Sequence, residues 1–201
     1  RGGGRVLVVH PTETLNPISA SALLKTLEEP PAGARLILTA ADPARLLPTV
    51  LSRCQRLRLA PPSREMAAAW LAAQGVEQPP VLLAATGGAP LEALRWQEEG
   101  ITAQAWSGLP QALQQGRADA LSGWPAPRVL DALMKWGHDA LATTLGGQST
   151  FFPKVDPVPR MGPLMAWLAQ VRHVAAHADH PWHEPLLVDS LVEGAREAVS
   201  R

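Results

Sequence analysis

The chain has 201 residues, of which 46% are hydrophobic and 18% are charged, and its formal net charge is +0. This composition excludes an intrinsically disordered chain and does not favour a strongly basic nucleic-acid-binding protein. The single cysteine, Cys54, excludes an internal disulfide and favours a cytoplasmic protein, and no apolar run approaches the roughly 20 residues that span a bilayer.

The first sixty residues alternate between strand-like and helix-like segments. Strands are predicted at 6–9, 35–39 and 56–59, and the first of them has the β-branched character of a strand buried on both faces. This alternation predicts a parallel α/β sheet. The sequence enters the first strand at once and has no initiating Met, so we expect it to be the C-terminal part of a longer protein.

Proline marks the helices between these strands. Asn16 is a suitable N-cap and Pro17 a suitable first helical residue, and the helix that they begin ends before the proline pair at 30–31. Asp42 and the proline after it repeat the signal for a short helix through Leu47, and a further short helix is predicted at 49–53.

From residue 63 onward the pattern is helical. Three short helices predict a small bundle at 63–98, and the last two helices are predicted at 163–178 and 184–199. Turn signals that separate the helices lie at 108–110, 123–125 and 146–147, and the best loop candidate is 148–160.

The most informative segment is 21–31, with the sequence Ser-Ala-Leu-Leu-Lys-Thr-Leu-Glu-Glu-Pro-Pro. Asp-Pro-Ala-Arg-Leu-Leu-Pro follows from residue 42, and Leu-Ser-Arg-Cys follows from residue 51. In order and spacing these segments closely resemble the AAA+ clamp-loader family. The resemblance is strong over residues 5–62. It implies the C-terminal part of an AAA+ α/β domain (1–62), a helical lid (63–99) and a helical collar for oligomerisation (100–201).

The resemblance assigns a role to Arg53. Clamp loaders couple ATP binding to the opening of a sliding-clamp ring, and each ATP lies between two subunits. The resemblance implies that Arg53 is an arginine finger that reaches in trans to the ATP of a neighbouring subunit, with Ser52 and Cys54 as motif neighbours. Without the resemblance, Arg53 would be interpreted as a surface arginine at a helix C-terminus.

Two positions depart from the pattern of the ATP-hydrolysing members. Those members end the magnesium-binding strand with an Asp-Glu pair, whereas His10 and Pro11 offer no oxygen ligand, and Glu13 lies past the strand end. A polar sensor residue is expected after the second strand, but Ala40 and Ala41 stand there. We therefore expect no intrinsic ATPase activity and no bound cofactor.

These departures imply the non-hydrolysing subunit of the clamp loader that serves DNA polymerase III, the replicative nucleotidyltransferase. The implied partners are gamma/tau and delta subunits and, through the assembled hetero-oligomer, the sliding clamp and primer–template DNA. Two alternatives stay open, namely an ATP-hydrolysing gamma/tau-type subunit with unusual motifs and an unrelated helical interaction module.

The remaining polar and aromatic residues have less specific interpretations. Lys25, Glu28 and Glu29 predict a solvated helix face, and the resemblance places Lys25 toward DNA. His173 and His177 are four residues apart in a cluster that includes His180 and His183, and they offer a weak zinc-site alternative. Cys54 is predicted to be a small buried thiol, and the scattered tryptophans are predicted to pack in the core.

Overall fold

The computed structural model describes residues 4–158, 160–177 and 183–200. The chain divides into two compact units, Arg1–Ala60 and Pro61–Arg201. None of the helices in the described ranges is long and apolar enough to cross a membrane.

The first unit contains a parallel sheet, as the alternating pattern predicts. β1 (Arg5–Val9) pairs with β2 (Ala34–Leu38). The prediction that β1 is buried on both faces is wrong, because three of its apolar side chains are more than half exposed. The predicted strand at 56–59 is also wrong, since this segment pairs with neither strand and its two leucines are each 84% exposed. The described sheet therefore has two strands, and its faces are incompletely covered.

The helix between the strands begins where the sequence predicts. α1 (Pro17–Glu28) is capped by Asn16, whose side-chain oxygen accepts a hydrogen bond from the Ser19 N–H at 2.8 Å. This bond satisfies one of the N–H groups that the first helical turn leaves unpaired.

A 3-10 turn and a single helical turn follow β2. The turn (Pro43–Arg45) is shorter than the predicted helix, because Leu47 precedes a proline and takes an extended conformation. α2 (Pro48–Leu51) begins at that proline and packs against α1.

The described part of the second unit is helical. As predicted, three short helices come first, and longer helices follow them. Their bounds are α3 (Arg64–Ala73), α4 (Pro79–Ala85), α5 (Pro90–Glu98), α6 (Ala103–Gln114), α7 (Ala126–Thr144), α8 (Met161–Ala176) and α9 (Glu184–Val199).

The turn signals of this region are confirmed except for one. Breaks occur at 123–125 and 146–147, and the described residues from 148 to 160 contain no helix or strand. The break at 108–110 is wrong, because α6 continues through Pro110. Leu109 and Pro110 are both buried. Burial of this face outweighs the helical hydrogen bond that a proline removes.

Tryptophans form the centre of the second unit, as predicted for most of them. Trp70 is an exception with 38% of its surface exposed, and Trp182 lies outside the described residues. The tryptophans that are at most 4% exposed are Trp96, Trp106, Trp136 and Trp167.

An ion-pair network joins α5 to α7. Arg128 donates from Nε to Glu99 at 3.0 Å and forms an ion pair with Glu92 at 2.5 Å, and its guanidinium lies 5.5 Å from the centre of the Trp96 ring. The hydrogen bond to Glu99 is the main cause of the raised pKa of Arg128. The three short helices and the helices after them therefore form one compact unit, and a lid–collar boundary near residue 99 stays a prediction.

Candidate functional site

The guanidinium of Arg53 is held on both sides at the surface of the first unit. Its Nε donates to Oε1 of Glu28 at 2.5 Å, and its Nη2 forms an ion pair with the same oxygen. Its Nη1 donates to the Thr49 carbonyl at 3.0 Å and to the Ser52 hydroxyl oxygen at 3.3 Å. The side chain of Arg53 is 32% exposed, so the group is oriented and still accessible.

Prolines set the bounds of the two helices that carry these residues. Glu28 is the last residue of α1, which ends just before a proline pair, and Arg53 follows α2, which begins at Pro48. The Ser52 hydroxyl donates to the Thr49 carbonyl at 3.1 Å, which fixes the turn that carries Arg53. The packing of α1 against α2 thus joins two residues that are 25 positions apart.

The solvated face predicted for α1 is confirmed, because Lys25, Glu28 and Glu29 are all exposed. In the described ranges neither Lys25 nor Glu29 has an ion-pair partner. The carboxylate of Glu28 binds Arg53, which the prediction did not include. Nothing in the local sequence marks that contact. A DNA contact of Lys25 stays a prediction, and Cys54 is partly exposed rather than buried as predicted.

His10, Pro11, Ala40 and Ala41 follow the ends of the two strands. His10 Nδ1 is 2.7 Å from the Thr39 hydroxyl oxygen, and Glu13 accepts a hydrogen bond from the Ala41 N–H at 2.9 Å. Hydrogen bonds from the backbone N–H groups of Glu13 itself and of Ala41 are the main causes of the lowered pKa of Glu13. This carboxylate is therefore engaged by the backbone at the end of β2. Pro11 and Ala40 contribute no polar side chain.

The weak zinc alternative gains no third ligand from the described residues. The rings of His173 and His177 have centroids 4.4 Å apart, and His177 Nδ1 is 2.8 Å from the backbone carbonyl of His173. Within 4–158, 160–177 and 183–200, no group of three side chains is arranged to hold a metal ion. His180 lies outside these ranges.

Comparison with known proteins finds similarity over more of the chain than residues 5–62. The family model described as "DNA polymerase III, delta subunit" matches residues 1–63. The delta' subunit of DNA polymerase III from Escherichia coli K12 is 37% identical over 161 residues, which are 71% of this chain and 48% of that protein. The chain belongs to the DNA polymerase III delta' family. A second member of this family, from Yersinia pestis, is 34% identical over 192 residues, which are 88% of this chain and 54% of that protein.

Similarity to tau subunits is confined to a shorter segment. The tau subunit of Salmonella typhimurium is 44% identical over 59 residues, which are 29% of this chain and 9% of that protein. The expected membership of the clamp-loader family is thereby confirmed, with delta' rather than tau as the better match along the chain. The chain spans about half the length of the delta' relatives it matches.

Proposed function

We propose that this chain is the part of a delta' subunit that presents Arg53 to ATP bound by a neighbouring gamma/tau subunit of the DNA polymerase III clamp loader. The loader then places the sliding clamp on primed DNA. The observation that carries this proposal is the oriented, partly exposed guanidinium after α2. Such a group neutralises the charge that develops on the γ-phosphate during phosphoryl transfer.

The same proposal assigns no ATP hydrolysis to this subunit itself. His10 and Pro11 replace the carboxylates that hold magnesium, and Ala40 and Ala41 replace the polar sensor. Magnesium prefers oxygen ligands, which these side chains do not provide. The proposal gives Glu13 no part in holding magnesium, because this residue lies past the end of β1 and its Oε1 accepts a hydrogen bond from the Ala41 N–H.

The helical part of the chain has a supporting role in this proposal. Helices α3 to α5 form the lid, and helices α6 to α9 form a collar that assembles with gamma/tau and delta subunits in the cytoplasm. Support comes from two core clusters, one mainly within α3 to α5 and one that extends from α4 to α9, and from the Arg128 network, which joins α5 to α7. The sliding clamp and primer–template DNA are reached through the assembled complex.

Arg53→Ala in the full-length protein tests the proposal. The ATPase rate is measured in an assembled loader in which only the ATP site facing this subunit is left intact. The rate should fall by about 10³-fold, at the lower end of what removal of an arginine finger costs. Arg53→Lys should restore little, because lysine lacks the planar fork.

Arg95→Ala is the matched control, since this side chain is 69% exposed on α5 and far from Arg53 in sequence. Its loader should hydrolyse ATP at the wild-type rate. Normal ATPase and clamp loading with Arg53→Ala would contradict the proposal. Hydrolysis of magnesium–ATP by the isolated full-length subunit would instead favour the gamma/tau-type alternative.

A further inference from the structure

The ion pair at the end of α1 assigns a role to Glu28. We infer that Glu28 is a positioning residue, which orients the guanidinium of Arg53 toward the triphosphate of the neighbouring subunit. This inference rests on the proposed function of Arg53. Glu28 itself touches no reacting atom and acts only through Arg53.

The contacts around Arg53 restrict the orientation of its guanidinium. An unrestrained arginine side chain samples many rotamers, and each must be given up when it engages a ligand. Glu28 Oε1 binds the guanidinium edge formed by Nε and Nη2, while the Thr49 carbonyl and the Ser52 hydroxyl bind Nη1. Contacts on both sides fix the plane of the group before any partner arrives, and such preorganisation accelerates a reaction that depends on orientation.

The ion pair between Arg53 and Glu28 is accessible to solvent. The side chains of Arg53 and Glu28 are 32% and 49% exposed. Water screens an ion pair at this level of exposure, so the attraction is weak. Glu28 therefore orients the guanidinium without trapping it, and a triphosphate with several negative charges can share or replace the carboxylate.

Glu28 is poorly placed to stabilise α1. It is the last residue of α1, where the helix presents its unpaired carbonyl groups. A carboxylate at this end is disfavoured, whereas a cation would be favoured. Glu28 therefore gains nothing from its place at the helix end, and its contact in the described residues is with Arg53.

The test uses the full-length protein in the loader with one intact ATP site. Glu28→Ala should lower kcat by about 10-fold through loss of orientation, with the KM for ATP changed less than about 2-fold. Glu28→Gln keeps an acceptor oxygen at the same place and should retain more of the rate. Glu29→Ala is the matched control, because this exposed neighbour does not contact Arg53, and its kcat should equal that of wild type.

A double substitution separates positioning from a general structural effect. In a loader that already carries Arg53→Ala, Glu28→Ala should lower the rate no further. An equal further loss would overturn the inference, since Glu28 would then act independently of Arg53. A normal kcat for Glu28→Ala together with a low kcat for Arg53→Ala would overturn the inference alone. A normal kcat for Arg53→Ala would instead remove the proposed function.

Discussion

Asp139 is a buried carboxylate that fastens the loop after α7 onto that helix. It is 0% exposed, and it accepts hydrogen bonds from three consecutive backbone N–H groups. Oδ1 accepts from Thr150 at 2.9 Å, and Oδ2 accepts from Phe151 at 2.8 Å and from Phe152 at 2.9 Å. We predict that Asp139→Asn destabilises the second unit although the shape of the side chain hardly changes.

The loss of these hydrogen bonds determines how far the free energy of unfolding should fall. An amide NH₂ replaces one carboxylate oxygen, so at least one of the three N–H groups faces a donor and stays unpaired. An unpaired buried donor costs about 1–3 kcal/mol, and the bonds that remain lose the help of the charge. We expect the free energy of unfolding to fall by about 2–4 kcal/mol, which lowers Tm by about 4–16 °C for a protein of this size.

Tryptophan fluorescence during urea unfolding measures this change, because all seven tryptophans lie in the second unit. Asp131→Asn is the matched control on the same helix, where Asp131 pairs with Lys135 and its side chain is 35% exposed. This partly exposed carboxylate has water beside it and the substitution keeps an acceptor oxygen, so the cost should be about 1 kcal/mol or less. If Asp139→Asn unfolds at the wild-type urea concentration with an unchanged slope, the three backbone bonds do not hold the loop.

Two further predictions concern helix packing and acid stability. A Cβ at Gly137 would lie 2.3 Å from Cδ2 of Leu168, so Gly137→Ala should lower the free energy of unfolding by about 1–3 kcal/mol. Gly108→Ala in α6 is the control, because a Cβ there meets nothing within 4 Å. This substitution should raise the free energy of unfolding by up to about 1 kcal/mol. Urea unfolding distinguishes the two, and equal effects would contradict the close packing of α7 on α8. The pKa of Glu13 is held below its ordinary 4.5, so its stabilising contribution is present above that pH and is lost as the pH falls through the lower folded-state pKa. Glu13→Gln should therefore reduce the fall in Tm between about pH 6 and pH 3, and a fall equal to that of wild type would show that the carboxylate does not contribute.

Local signals predicted the helices well because the physics that starts a helix is local. The cap at Asn16 forms the bond that its sequence position indicates. The strand prediction at 56–59 was wrong because alternation shows only that a segment can form a strand, and a strand needs a neighbour to pair with. The break predicted at Pro110 was wrong for a related reason, since burial against distant residues decided the outcome.

Only the site residues that belong to the family motif could be predicted from the sequence. Arg53 was found from its resemblance to a family motif, which fixes residue types along the chain. Glu28 was interpreted as part of a solvated face, because its partner is 25 positions away and no periodic pattern links the two. Asp139 could not be identified from the sequence either, since three of its partners are backbone N–H groups of the loop, and a sequence does not show which backbone groups a side chain will bind.

The polar contacts around Arg53 are exposed and those around Asp139 are buried, so substitutions at the two places should have different effects. Around Arg53 the contacts are exposed and weak, so removal of Glu28 should change orientation while the stability of the fold is nearly retained. Around Asp139 the contacts are buried, so their loss is expressed as unfolding. Substitutions at the surface pair should therefore separate activity from stability, whereas Asp139→Asn should reduce activity by reducing the amount of folded protein.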